Sequence, residues 1–229
     1  MEKMTYDKIA IGAFHGRPNR FIARVEIADE MITAHVKNTG RCKELLIPGV
    51  KVVLQKSDDP KRKTEYDLIA VWKGKRLINM DSQAPNKVFY DYLRSGLFAD
   101  GITMIKPESK YNGSRFDFYF EAGKRKVFTE VKGVTLEENG IALFPDAPTE
   151  RGVKHLNDLI RCVGEGYEAQ VVFVIQMNDI LYFTPNNKTH PAFGEALVAA
   201  EKAGVKISAY DCEVKENSLI IGKPVPVKL

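Results

Sequence analysis

The hydrophobic pattern of this chain changes period once, near Asp81, and that switch limits the folds open to it. Before it, short runs rich in Val, Ile and Thr are separated by turn signals, with no stretch of helical spacing. IARVEIA, MITAHVK, VKVVLQK and YDLIAVW are the strand candidates, broken at Asp29-Glu30, Asn38-Thr39-Gly40, Pro48-Gly49 and Asp58-Asp59-Pro60. Strands this short and this closely spaced predict a small closed β-barrel of OB-like form over residues 1–80.

After Asp81, over residues 81–229, helical stretches alternate with strands, which predicts an α/β layer rather than a second barrel. SQAPNKVFYDYLRSG reads as a helix with Val88, Tyr92 and Leu93 on one side, followed by a strand near residues 102–105. SRFDFYFE and KVFTEVK read as a hairpin about the turn Ala122-Gly123-Lys124-Arg125, and residues 133–148 as a loop. Val153, Leu156, Leu159, Ile160 and Val163 recur at helical spacing from Thr149 to about Val163. AQVVFVIQ is a buried strand, residues 191–203 a helix, VKISAY a strand and KPVPVKL an edge strand. The resulting αβββαβ order is a sheet covered by helices, and the chain is a two-domain α/β protein.

With 229 residues, 44% of them hydrophobic and 28% charged, the chain can bury a core and is no disordered tail. No apolar stretch approaches the roughly 20 residues of a membrane helix, and MEKMTYDKIAIGAFHGR lacks the apolar centre of a secretion signal. A cytoplasmic protein without a membrane partner is the expectation. Cys42, Cys162 and Cys212 form no C-x-x-C pair and are odd in number, which predicts buried free thiols. The net charge of +4 is unevenly spread: residues 1–80 hold 16 Lys and Arg against 10 Asp and Glu, leaving 18 against 20 beyond.

The residues that carry chemistry lie in RFDFYFEAGKRKVFTEVK. A turn at residues 122–125 pairs positions whose numbers sum to 247, so Asp117 faces Glu130 and Arg115 faces Lys132. Alternation puts these on one face and Phe116, Phe118, Phe120, Val127 and Val131 on the other. Two carboxylates opposed across a ladder sit about 5 Å apart at Cβ and repel unless something positive intervenes. A Mg²⁺ or Mn²⁺ ion held by Asp117 and Glu130 would do so, with Lys132 orienting the attacking water, and the reaction implied is phosphodiester hydrolysis. The same pattern also arises in hairpins whose polar face meets water, with Arg115 and Lys132 salt-bridging the acids.

FPDAPTERGVKHL places Arg151 and His155 one helical turn apart, a phosphate-gripping pair or a solvated helix face, with Asp146 or Thr149 as the cap. On the barrel, Arg17, Arg20 and Arg41 beside the turn formers Asn19, Asn38 and Gly40 offer a groove for a nucleic-acid backbone. Phe14 and Phe21 offer stacking faces or barrel core, and PKRKTEY adds a basic loop. There is no G-x-S-x-G, P-loop, H-E-x-x-H or dinucleotide fingerprint, and the four histidines are scattered.

These motifs together, RPNRF, NTGR with ELLIPG, SRFDF, TEVKGVTL and above all FPDAPTERGVKHL, resemble the bacterial and archaeal sugar fermentation stimulation protein A family over nearly everything from Phe14 onward. The resemblance implies an N-terminal OB-like barrel joined to a PD-(D/E)XK nuclease-like domain, with DNA binding as the activity. In that pattern Asp117, Glu130 and Lys132 would be the two acids and the lysine. Where the nuclease pattern often adds an acid from its first helix, this chain offers Asn86, with Asp91 as a loose substitute. The leading expectation is a DNA-binding protein with a Mg²⁺- or Mn²⁺-dependent nuclease-like site, in which Arg115, Arg151 and His155 hold the phosphate and Arg17, Arg20 and Arg41 grip the strand. A non-catalytic DNA-binding regulator of sugar (maltose-type) metabolism genes and an enzyme acting on a small nucleotide or phosphate ligand are the rivals. Assembly into a homodimer stays open.

Overall fold

The computed structural model describes residues 2–38 and 40–229; Met1, and Thr39 in the Asn38–Gly40 turn signal, lie outside the described residues. After β1 (Met4–Thr5), five strands build the barrel: β2 (Ile9–Asn19), β3 (Ile22–Ile27), β4 (Glu30–Val36), β5 (Lys51–Lys56) and β6 (Tyr66–Lys73). They run in the order β4-β3-β2-β5-β6, and a parallel pairing of β4 with β6 closes the ring. β7 (Arg76–Asn79) extends it from β6.

The four strands expected from the apolar runs are β3 to β6. β2 hides its period behind Gly12, Gly16 and Pro18, and its pairing with β3 shifts register on either side of Gly16. Gly12 is there because the strands cross closely: a Cβ would meet the Glu26 carbonyl and Val25 Cγ1 at 2.6 Å.

The second unit follows the expected order: α1 (Ala84–Arg94), β8 (Ile102–Tyr111), β9 (Ser114–Ala122), β10 (Arg125–Val134), α2 (Glu150–Gly164) and β13 (Glu168–Ile175). Residues 133–148, expected as a loop, instead carry β11 (Leu136–Glu138) and β12 (Ile141–Phe144), which join β14 (Tyr182–Pro185) in a three-stranded sheet. α3 (Pro191–Lys202), β15 (Lys206–Lys215) and β16 (Ser218–Val225) complete a seven-stranded sheet ordered β1-β16-β15-β13-β10-β9-β8. The assignment of residues 1–80 to the barrel therefore needs correction at its start, because Met4 and Thr5 pair with Leu219 and Ser218.

Each face of this sheet is covered by helices. Val88, Phe89 and Leu93 of α1 bury against Phe118, Phe120, Val127 and Val131 on one side. Leu156, Leu159 and Cys162 of α2 bury with Phe128, Val171 and Phe173 on the other. Thr149 is the N-cap of α2, its Oγ1 accepting from Gly152 N at 3.1 Å, a contact of the kind that contributes about 1 kcal/mol. All three thiols are free and buried. No helix among the described residues is long and apolar enough to cross a membrane.

A polar junction joins the two units. Asp81, fully buried, accepts Lys37 Nζ at 2.6 Å and the Tyr6 hydroxyl at 3.3 Å through Oδ2, and Gln83 N at 3.0 Å through Oδ1. Beside it, Gln176 Nε2 donates to Asn79 Oδ1 at 2.9 Å and to the Asp81 carbonyl at 3.0 Å. Further out, Lys73 and Arg76 from the barrel both bridge to Glu137 of β11 at 2.8 Å.

Candidate functional site

The hairpin at the centre of the second sheet keeps the expected register for five pairs, from Arg125–Ala122 to Thr129–Phe118. The ladder stops where Glu130 would meet Asp117. There Asp117 Oδ2 accepts the Val131 N–H at 2.7 Å, and Asn86 of α1 donates to Oδ1 at 2.8 Å. A side chain has taken a backbone donor of the neighbouring strand, and the alternation breaks with it. Phe118, Phe120, Val127 and Val131 share the α1 side as expected, but Phe116 packs on the opposite side, 5.5 Å from the Phe128 ring and 6.1 Å from His155.

Glu130 is 4% exposed and forms the hub of the site. Its Oε1 accepts Lys132 Nζ at 2.6 Å and also meets His155 Nδ1. His155, itself buried, faces the Arg151 Nε–H with Nε2 at 3.4 Å. An acceptor at Nε2 leaves the ring proton on Nδ1, donated to Glu130. Glu130 Oε2 is buried and has no partner among the described residues.

The two acids are pushed in opposite directions. Burial, then the Glu130 charge, raises the Asp117 carboxyl above the usual range, against the Val131 N–H and Asn86. Burial would raise Glu130 too, but the His155 hydrogen bond and the Lys132 charge hold it below. Titratable neighbours driven apart in this way are a feature of functional sites.

The shift of Asp117 fixes a sign. A carboxyl with a raised folded value favours the folded state while protonated, below about pH 3.9, and that contribution is lost as pH rises through the folded value. At neutral pH the ionised Asp117 therefore costs stability. Asp117→Asn keeps a carbonyl oxygen for Val131 and removes the charge, so it is expected to be more stable than wild type at pH 7, on the order of 1 kcal/mol, with the gain fading in acid. Urea unfolding from pH 3 to 7 reads this; an Asn variant less stable at pH 7 than at pH 3 relative to wild type would contradict it.

Of the other expected residues, Arg151 joins the site through His155, and His155 meets Glu130 rather than lying on a solvated face. Arg115 does not sit opposite Lys132: it pairs with Lys110 of β8 and lies 3.5 Å from Glu108, both exposed. Asp91 makes no hydrogen bond or ion pair with these groups among the described residues; Asn86 is the α1 residue that reaches Asp117. On the barrel, the Arg17 guanidinium is committed to four carbonyls: Gly40 and Arg41 at 2.8 Å, Arg20 and Asn38 at 2.6 Å. It shapes the loop that presents Arg20 and Arg41, which are exposed. Phe14 is core, whereas Phe21 is 43% exposed with the Arg20 guanidinium 4.7 Å above its ring. In the basic loop, Arg62 is spent on Asp67, at 2.6 and 2.9 Å.

The donor set limits what ion would fit. Among the described residues no three His, Cys, Asp or Glu side chains converge as a metal cage. Two carboxylates, one with an unpartnered oxygen, instead suit an ion that completes its shell with water and a phosphate, as Mg²⁺ commonly does. Asp117 and Glu130 would hold it.

Comparison with known proteins covers both units. The family model described as sugar fermentation stimulation protein RE domain matches residues 83–218, and the one described as SfsA N-terminal OB domain matches residues 16–80. A sugar fermentation stimulation protein homolog of Desulfitobacterium hafniense is 64% identical over 226 residues, covering 99% of each chain. One of Ruminiclostridium cellulolyticum is 58% identical over 226 residues, covering 99% of this chain and all of its own. The solved structure of Pyrococcus furiosus SfsA in complex with Ca²⁺ superposes with a TM-score of 0.91 at 29% identity, over 100% of both chains.

Proposed function

The chain belongs to the sugar fermentation stimulation protein family, and from that premise we propose that it binds DNA along the barrel loop and hydrolyses a phosphodiester at the Asp117–Glu130 site with Mg²⁺ or Mn²⁺. The observation that carries this reading is the buried Glu130 carboxylate, which holds Lys132 and His155 on one oxygen and leaves the other buried without a partner among the described residues. The Ca²⁺ bound by the Pyrococcus furiosus relative is a hard, oxygen-seeking cation of the class such a site would take. When bound, the ion would polarise the phosphoryl oxygen and acidify a water.

The chain's own groups do the rest. Lys132, held 2.6 Å from Glu130, orients the attacking water and offsets charge building on phosphorus. His155 fixes the rotamer of Glu130, and Asn86 and the Val131 N–H fix Asp117. Arg151, and Arg115 further out, attract the phosphate. Arg20 and Arg41 contact the backbone on either side of Arg17, while Phe21 offers a stacking face.

Purified protein incubated with branched, single-stranded and duplex DNA in Mg²⁺ or Mn²⁺ tests the proposal, with cutting expected from wild type and not from Lys132→Ala. Wild type that binds all three substrates and cuts none removes the hydrolytic part. A second reading, a regulator that binds DNA without cutting, is favoured by the neutral Asn86 on Asp117 and the absence of a third acid among the described residues. On that reading Asp117→Asn binds DNA as wild type does, and affinity falls steeply with salt.

A further inference from the structure

A cavity of about 310 Å³ lies between the barrel loop and the second unit, at the small end of ligand pockets, which span roughly 300–1,000 Å³. Its walls are the chain neighbours of the acid site. Gly133 follows Lys132, Pro85 precedes Asn86, and Asn38 and Gly40 belong to the loop held by Arg17.

Two glycines let the walls approach closely. A Cβ at Gly133 would meet Pro85 Cγ at 2.7 Å and Gln176 Oε1 at 2.8 Å, and one at Gly40 would meet Asp146 Oδ2 at 2.7 Å. The polar groups left over have a definite character. Gln176 is 2% exposed and spends Nε2 on Asn79 and Asp81, leaving Oε1 as an acceptor beside Gly133. Asp146 supplies a second acceptor. Asn38 spends Oδ1 on Gly40 N at 2.8 Å, and its amide N–H groups have no partner among the described residues. Phe144, Leu143, Leu136 and Pro85 form apolar walls.

A flat, mostly apolar ring with N–H groups on one edge and an acceptor beside them satisfies that set, which is the chemistry of a nucleobase. We propose that the cavity receives one unstacked DNA base carrying an exocyclic amino group, while its phosphate lies at Lys132. This rests on the DNA reading above and sharpens it: the substrate is a strand from which a base can leave the stack, at an unpaired or distorted position.

The test uses the full chain in EDTA, so that no strand is cut. 2-Aminopurine, which brightens when unstacked, is placed at successive positions of a single strand and of a duplex with a mismatch, and binding is followed separately by anisotropy. A several-fold gain in fluorescence at one or more positions is expected on saturation, and its loss in Asp146→Ala and in the wall-filling variant Leu143→Trp. Binding without any brightening overturns the inference and leaves the DNA reading standing. Brightening that survives both substitutions places the base elsewhere and also overturns it. No binding at all overturns both.

Discussion

Glu130→Gln is expected to reduce metal-dependent cleavage by at least about 10²–10³-fold, the loss seen when one charge-stabilising group is taken from a preorganised site. The carboxylate has two tasks at once. Oε1 serves Lys132 and His155, and Oε2 has no partner among the described residues. An amide can do only one. If its oxygen turns to Lys132 and His155, an N–H₂ group points where a cation would sit; if it turns the other way, two donors face the ammonium and the imidazole. DNA binding, which the proposal assigns to Arg20, Arg41 and Arg151, is expected to stay within a few-fold of wild type or to strengthen, because a negative charge has gone. Single-turnover cleavage across a Mg²⁺ titration, with anisotropy in EDTA alongside, separates the two effects. A Gln variant that cuts at the wild-type rate would remove Glu130 from the chemistry. A rise in melting temperature with Mg²⁺ that is present in wild type and missing in the variant would tie the loss to the ion without reference to activity.

How far these features could be read in advance depended on whether their cause was local. β3 to β6 were legible because each is a β-branched run closed off by turn residues, and the hairpin register followed from one turn at Gly123. The reading failed at Asp117, where a carboxylate takes a backbone N–H from the next strand and sends Phe116 to the other face. No alternation rule contains that event. The meeting of His155 with Glu130 is similarly invisible, since it joins α2 to β10 across 25 positions, while the spacing of Arg151 and His155 was visible because one helix turn sets it. Arg17 shows the limit in another form. Its charge and its place among turn residues could be seen, but its commitment to four carbonyls depends on how two loops approach each other. The open acceptor of Gln176 arises in the same way, from partners nearly a hundred residues away that claim only its nitrogen.

The largest effect on stability is expected at Asp81. This carboxylate is fully buried and touches three parts of the chain: Lys37 beyond β4, Tyr6 between β1 and β2, and Gln83 at the start of α1. Burial, then the Asp81 charge, pushes the Tyr6 hydroxyl well above its ordinary value, so the phenol stays a donor at any working pH. Asp81→Ala strands the Lys37 ammonium and leaves the Tyr6 O–H and Gln83 N–H without their acceptor. Breaking one side of a buried pair costs about 3–5 kcal/mol, and the lower end is expected here because the Lys37 side chain keeps 20% exposure and can turn toward water. For a chain of this size that is roughly 6–12 °C in Tm. Lys37→Met together with Asp81→Leu should recover part of the loss, since an apolar pair has no charge to desolvate. The effect also reaches the site. Asp81 anchors Gln83, the residue that opens α1, and α1 carries Asn86 to Asp117. A loosened helix start therefore predicts that any stabilisation by Mg²⁺ weakens in Asp81→Ala beyond what the lower Tm accounts for. Should the variant unfold within about 1 kcal/mol of wild type, the junction is held by its apolar contacts and the ion pair is incidental to it.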